Sequence, residues 1–249
     1  MSFKTVVRGD YNATVLCSVR LVRLPVTETL KSGGRTRGPR AAEILAALLN
    51  LNWQERHMKK KLARWLLGAL GWRLEGIRPE QSRYVLIAAP HTSNWDLPLM
   101  LAFGAAFELE IRWMAKHSLF YPPLGWLLRA LGGMPVYRHE KRNLVDSMAD
   151  AFQAASNLVL VVPTEGTREW TEYWKSGFYH IARKAGVPIV PSFLDFGQKR
   201  GGFGPAFYPT GEVEADMQFF RDFYQGMRGK FQGQFGPVRL KEEVSGRDS

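Results

Sequence analysis

Tyr84-Val-Leu-Ile-Ala-Ala-Pro-His-Thr-Ser-Asn-Trp-Asp96 joins an apolar run to a proline, a histidine and, five residues after the histidine, a carboxylate. A catalytic base needs an imidazole whose far nitrogen is held by an acceptor, usually a carboxylate. His91 and Asp96 have the wrong spacing for that pairing inside regular structure. On a helix their side chains stand about 140° apart, and on a strand they face opposite sides. They meet only if the chain turns between them, and the sequence supplies the turn. Tyr84–Ala89 has the composition of a buried strand, which Pro90 ends. Ser93 or Asn94 can cap a helix whose first turn holds Trp95, Asp96 and Pro98, where proline is tolerated. From that turn Asp96 can reach back to His91. Taken alone, the motif fits a satisfied loop histidine beside a helix-start acid equally well.

Further motifs break the tie. Leu158–Val162 is a second strand-like run, followed by Pro163-Thr-Glu-Gly-Thr-Arg168, then Trp174-Lys-Ser-Gly177 and Val187-Pro-Ile-Val-Pro191. Gly132-Gly-Met-Pro-Val-Tyr-Arg138 lies between the His91 stretch and Leu158. In order and spacing the set resembles the glycerolipid acyltransferase family, which includes the 1-acylglycerol-3-phosphate O-acyltransferases. The family's motifs are His-x-x-x-x-Asp, Gly-x-x-Phe-Ile-x-Arg, Pro-Glu-Gly-Thr-Arg and a Val-Pro-Ile-Val-Pro strand. The resemblance runs from about Tyr84 to about Gly211, roughly half of the chain. Pro90 stands where the family usually has Asn, and Pro135 replaces the aromatic of the second motif. In the third, Thr164 occupies the usual place of the proline, which comes one residue early. None of these departures removes a reacting group. They bear on the shape of the acceptor pocket.

The chain's alternation of elements is that of an α/β protein built on one mixed sheet. Besides Tyr84–Ala89, strands are predicted at Ile111–Ala115, Met134–Tyr137, Leu158–Val162 and Val187–Phe196. Helices are predicted at Leu97–Ala106, Leu124–Leu131, Asn143–Ser156, Gly177–Ala185 and Ala215–Lys230. The resemblance implies the same class: a single mixed sheet flanked by helices, of the glycerol-3-phosphate acyltransferase type, with a basic N-terminal extension and an amphipathic helix added.

With 249 residues, 45% hydrophobic and 23% charged, the chain can bury one sizeable core and does not have a disordered composition. Cys17 is its only cysteine, which excludes an intrachain disulfide, a cysteine-based metal site and a thiol nucleophile in the matched region. This suits a reducing compartment, and we expect a cytoplasmic protein held peripherally on the cytoplasmic face of a membrane. The net charge is +11, and residues 1–60 hold 11 of the 34 Lys and Arg but 4 of the 23 Asp and Glu. A basic excess gathered at one end suits an anionic partner surface better than a merely soluble exterior.

Residues 1–57 differ from the rest. Lys31-Ser-Gly-Gly-Arg-Thr-Arg-Gly-Pro-Arg40 has the composition of a flexible basic linker, and Ala41–Leu51 that of a short apolar helix. Arg20 and Arg23 interrupt the only apolar run resembling a signal peptide. We expect residues 1–57 to be an extension of the core, which then occupies 58–249. Its first part, 58–72, places Lys and Arg against Leu62, Trp65, Leu66 and Leu70, the composition of an interfacial helix. An ordinary amphipathic helix packed on the domain shares that pattern. No run reaches the roughly 18–20 apolar residues that span a bilayer.

An acyl thioester is already activated, so the residues need to make an alcohol nucleophilic. His91, oriented by Asp96, is the expected base that takes the hydroxyl proton and returns a proton to the leaving thiol. No Gly-x-Ser-x-Gly elbow is present, so direct transfer is expected rather than an acyl-enzyme. The resemblance implies acyl-CoA or acyl carrier protein as co-substrate, no resident cofactor, and Glu165, Gly166, Thr167 and Arg168 in the acceptor site. Arg168 offers a planar fork for phosphate, and Arg138 and Lys175 add charge. The expected acceptor is 1-acylglycerol 3-phosphate, with a lyso-aminolipid such as lyso-ornithine lipid or glycerol 3-phosphate as alternatives. A non-enzymatic basic protein binding membrane or nucleic acid is the reading from another class. It has no recognisable nucleic-acid motif behind it, so no nucleic acid is expected. No pair among His57, His117, His139 and His180 has the spacing of a zinc site, and no metal is expected.

Overall fold

The computed structural model describes residues 41–136 and 141–245. Residues 45–249 form one compact unit, and residues 1–44 a second of which only the first turn of a helix is described. The expected linker at residues 31–40 lies outside the described residues.

The compact unit is built on one seven-stranded sheet. In chain order its strands are β1 (Arg73–Glu75), β2 (Arg83–Ala88), β3 (Ile111–Lys116), β4 (Gly133–Val136), β5 (Leu158–Pro163), β6 (Ile189–Asp195) and β7 (Arg200–Phe203). They lie in the order β1-β7-β6-β2-β5-β3-β4, all neighbours parallel except β6 and β7. The helices are α1 (Ala41–Ala69), α2 (Asp96–Ala106), α3 (Leu124–Ala130), α4 (Lys141–Ala154), α5 (Gly177–Ala185), α6 (Val213–Tyr224) and the terminal α7 (Glu242–Ser245).

The alternation of β2 sorts the core. Val85 and Ile87 face a cluster with Phe152 of α4, Phe178 of α5 and Phe220 of α6. Tyr84 and Leu86 face the opposite side, where Met100 and Leu101 of α2, Phe120 of the turn after β3 and Leu128 of α3 join them. Each such side chain, fully buried, contributes about 1.5–3 kcal/mol. A third cluster seats Ala63 and Leu67 of α1 on Leu99, Phe103 and Ala106 of α2, so α1 covers α2.

Several elements differ from expectation. The two N-terminal helices are one, because Asn52–His57 contains no breaker and helix propagation costs little once begun. Arg56 pairs with Glu110, and Lys60 with Glu108 at 3.0 Å, fixing the middle of α1. The helix stops at Ala69 rather than Trp72, since Gly71 takes φ +78° and turns the chain. The helix expected to reach Lys230 ends at Tyr224, before Gln225 and Gly226 (φ +75°). β1 and β7 carry no legible pattern. Gly202 permits their pairing, since a Cβ there would lie 1.7 Å from the Glu75 carbonyl.

Parallel strands place their carboxyl ends together, where open α/β sheets bind ligands. β2 and β5 are neighbours in the register Ala88↔Pro163, so the loops that follow them leave the sheet side by side. That pairing brings together motifs far apart in sequence.

Candidate active site

The loop after β2 folds around its own acid. Asp96 begins α2, and its Oδ2 accepts the backbone N–H groups of Thr92 and Ser93, both at 2.9 Å. The same oxygen lies 3.1 Å from His91 Nδ1. Trp95, not Ser93 or Asn94, stands at the N-cap, and Ser93 Oγ instead accepts the Trp95 N–H at 3.1 Å. With a buried carboxylate as acceptor, the imidazole proton sits on Nδ1 and Nε2 is left as the basic nitrogen. Asp96 is 5% exposed and His91 half-buried, so the acid is shielded while the imidazole borders an opening.

Glu165 was expected among the acceptor contacts and is placed otherwise. It is 1% exposed, and its Oε2 accepts the His91 backbone N–H at 2.8 Å. The carboxyl has no open surface, and it holds the His91 main chain. Burial, with the Asp96 charge adding, pushes it up from 4.5 to about 8, against the opposing His91 hydrogen bond. Near neutrality it is therefore largely protonated, which lets two carboxyl groups share this confined space.

The rest of the turn after β5 faces outward. Gly166 takes φ +68°, and a Cβ there would meet Lys175 Cγ at 2.9 Å. The close approach Gly166 permits is thus to Lys175, whose own N–H bonds the Thr164 carbonyl at 2.7 Å. Thr167 is exposed and accepts the Glu169 N–H through Oγ1 at 3.2 Å. Arg168 donates from Nη1 to Asn94 Oδ1, linking this turn to the His91 loop. Arg168 and Lys175 are both exposed. Arg138, expected to add charge, lies outside the described residues.

A contribution without a sequence signal comes from the segment after α6. Phe231 N–H donates to Thr92 Oγ1 at 3.2 Å. Gln234, with its amide oriented to donate, reaches the carbonyls of Thr92 at 2.9 Å and Arg168 at 2.7 Å. Lys230 Nζ lies 4.9 Å from the centre of the Trp95 ring, a cation–π distance. Gly229 packs so closely that a Cβ would stand 2.6 Å from Thr92 Oγ1. This strap clamps both motif loops from outside.

Behind His91 a cavity of about 220 Å³ runs between α2 and the sheet. Leu97, Met100, Phe103 and Gly104 line it at helical spacing, facing Leu86, Val161, Trp113 and Phe203. From Asp96 to Gly104 the helix rises about 12 Å, so an apolar slot extends well past the His/Asp pair. Arg168 borders the same cavity. Among the described residues no three His, Cys, Asp or Glu side chains converge as a metal site.

Residues 72–195, about half of the chain, match the family model described as Acyltransferase. The chain is 28% identical over 122 residues to 1-acyl-sn-glycerol-3-phosphate acyltransferase BAT2, chloroplastic, from Brassica napus, covering 47% of this chain and 34% of that protein. It is 28% identical over 143 residues to the 1-acyl-sn-glycerol-3-phosphate acyltransferase of Cocos nucifera, covering 55% and 45%. The chain thus spans less than half the length of these curated relatives. The crystal structure of the 1-acyl-sn-glycerophosphate (LPA) acyltransferase PlsC from Thermotoga maritima aligns with a TM-score of 0.46 at 20% identity, covering 66% of this chain and 74% of that one.

Proposed function

Because this chain belongs to the acyltransferase family, we propose that it moves a fatty acyl group from a thioester to the hydroxyl of a lysophospholipid-like acceptor, 1-acylglycerol 3-phosphate first among the candidates. The observation that carries the proposal is the 3.1 Å pairing of His91 Nδ1 with Asp96 Oδ2 at the end of the apolar cavity that Arg168 borders.

The acyl chain occupies the slot between α2 and the sheet, a channel narrower than the roughly 300–1,000 Å³ of sites for bulkier ligands. Its thioester carbonyl then lies beside His91. Nε2 removes the acceptor's hydroxyl proton while the oxygen attacks the carbonyl carbon, and Asp96 stabilises the imidazolium that forms. Collapse of the tetrahedral species breaks the C–S bond, and His91 gives the proton to the departing thiolate. Acyl-CoA or acyl carrier protein supplies the thioester, and no resident cofactor takes part. Arg168 and Lys175 are the cations proposed for the acceptor phosphate. The planar guanidinium of Arg168 suits two-pronged contact once it releases Asn94.

The acceptor's lipid nature calls for a membrane contact, and α1 offers one. Ala63 and Leu67 are buried against α2, whereas Met58, Leu62, Trp65, Leu66 and Leu70 are exposed. No described helix is long and apolar enough to cross a membrane. We place this exposed face in the surface of an anionic membrane, peripherally and on its cytoplasmic side.

Mass spectrometry of the lipids formed from acyl-CoA or acyl carrier protein and a panel of lyso-acceptors tests the proposal, with His91→Ala as control. The expected result is phosphatidate formed from 1-acylglycerol 3-phosphate by the wild type alone. Acylation of a lyso-aminolipid or glycerol 3-phosphate would move the acceptor assignment. An acylated product in neither reaction would remove the proposal.

A further inference from the structure

Two carboxyl groups grip consecutive N–H groups of the His91 loop, and each has an oxygen to spare. Glu165 Oε2 accepts the N–H of His91 at 2.8 Å, and Asp96 Oδ2 accepts that of the next residue, Thr92, at 2.9 Å. Both acids are closed off from solvent, Glu165 at 1% and Asp96 at 5% exposed. Their remaining oxygens, Glu165 Oε1 and Asp96 Oδ1, are buried and have no hydrogen-bond donor among the described residues. A buried acceptor without a donor costs free energy, and two carboxylates in one closed space repel each other besides.

The charged and titratable groups around the pair do not relieve it. Arg168 and Lys175 are exposed. His91 turns Nδ1 to Asp96 Oδ2. Tyr224 of α6 feels the Glu165 charge, but its phenol donates to the Ser192 carbonyl at 2.9 Å. A single proton between the two spare oxygens supplies the missing donor and removes one charge. Where it rests follows from the donors. Two N–H groups and the His91 ring converge on Asp96 Oδ2, whereas one N–H meets Glu165 Oε2. Hydrogen bonds favour the charged form of the acid that collects more of them, so the charge belongs to Asp96 and the proton to Glu165.

We propose that Glu165 is a neutral positioning residue, its Oε1 hydroxyl donating to Asp96 Oδ1 while its Oε2 holds the His91 N–H. For its purpose this rests on the acyltransferase reading, and it goes beyond that reading in giving the acid of the third motif a task away from the acceptor. The ring and the main chain of His91 are then fixed by one connected unit, because the acid that orients Nδ1 is bonded to the acid that holds the backbone. With both oxygens engaged, the Asp96 carboxylate cannot swing away from the ring. An ionised Glu165 would lose the donated bond and set a second charge against Asp96, loosening the base.

The test compares the full chain with its Glu165→Gln and Glu165→Leu variants, using acyl-CoA or acyl carrier protein and 1-acylglycerol 3-phosphate. Glutamine reproduces both contacts, its carbonyl accepting from His91 and its amide donating to Asp96, whereas leucine reproduces neither. Glu165→Leu should lower kcat by about 10²-fold, the effect of a misplaced base. Glu165→Gln should recover most of that loss, and the acceptor KM should move little in either variant. Wild-type kcat should fall as pH climbs through about 8, where the carboxyl ionises, and the Gln variant should lack that descent. Infrared spectra near neutrality should show the carbonyl band of a protonated carboxyl in the wild type and not in Glu165→Gln. If the Leu variant does not fold, the pH profile and the infrared band of the Gln variant still decide. A raised acceptor KM in Glu165→Gln, a pH profile matching the wild type's, or a missing carboxyl band would overturn the inference. If the band is present but even the wild type acylates nothing, the placement of the proton stands and the acyltransferase reading fails.

Discussion

The Glu165 carboxyl lies beneath His91 and takes the histidine's main-chain N–H at 2.8 Å. The third motif therefore acts on the first from inside the protein. Its charged neighbour Arg168 faces out, so one turn both holds the His91 main chain and leaves a cation exposed beside it.

Burial raises Glu165 from 4.5 to about 8, so the folded protein holds a proton that the unfolded chain has released across that interval. Its contribution to stability is complete below about 4.5 and is lost as pH climbs through 8. Glu165→Gln should remove this fall from the stability curve. Denaturant titrations across the interval check it, and a wild-type curve that matches the variant's slope would count against it.

His91→Ala should lower turnover by about 10²–10⁴-fold with the fold intact, since a general base is lost. Asp96 is a different case because it also satisfies the N–H groups of Thr92 and Ser93. Asp96→Ala leaves those donors buried and should cost about 1–3 kcal/mol of stability besides activity. Thermal melts read beside kcat separate the two effects. Near wild-type turnover in a folded His91→Ala protein would end the proposed mechanism.

Arg168→Ala should chiefly raise the apparent KM for a phosphorylated acceptor, and Arg168→Lys should rescue it in part. Lysine keeps the charge without the two-pronged geometry. Steady-state kinetics at varied acceptor concentration give the answer. An unchanged KM in the alanine variant would take Arg168 out of the acceptor site.

Gly229→Ala should lower kcat although residue 229 lies far from the reacting atoms in sequence. The added methyl would stand 2.6 Å from Thr92 Oγ1 and 3.1 Å from Pro90 Cβ, pushing the His91 loop off its position. A 1 Å misplacement can cost about 10²-fold. Turnover equal to wild type in a folded variant would show that the strap can yield.

Replacing Trp65, Leu66 and Leu70 together with Gln should reduce co-sedimentation with anionic vesicles, and salt should weaken wild-type binding as it screens Lys59 and Lys61. All three apolar side chains are exposed in the fold, so their removal should leave the melting temperature unchanged. Undiminished sedimentation would place the membrane contact elsewhere.

The meeting of His91 with Asp96 was legible because a strand exit, a proline and a helix start leave the chain one way to turn. Arg168 was legible as a cation beside a tight glycine turn. The role of Glu165 was not, because it depends on β2 and β5 lying side by side, a long-range fact that local pattern does not carry. The Gly229–Gln234 strap was invisible for the same reason: it joins Thr92 from 139 residues away at Phe231 and has no motif. Leu124–Leu131 was visible as a helix, but apolar content alone does not reveal that its larger side chains face out. β1 and β7 were missed because the glycines that let them pair are also those that erase a strand's alternating pattern.

For the proposed transfer, the Ala88↔Pro163 register of β2 on β5 also makes turnover a proofreader of folding. A slip of one residue would turn Val85 and Ile87 from one core to the other and carry Glu165 away from His91. A population of molecules paired wrongly at this ladder would thus be silent rather than sluggish. Fractional activity in a refolded sample would then count correctly assembled sheets one by one.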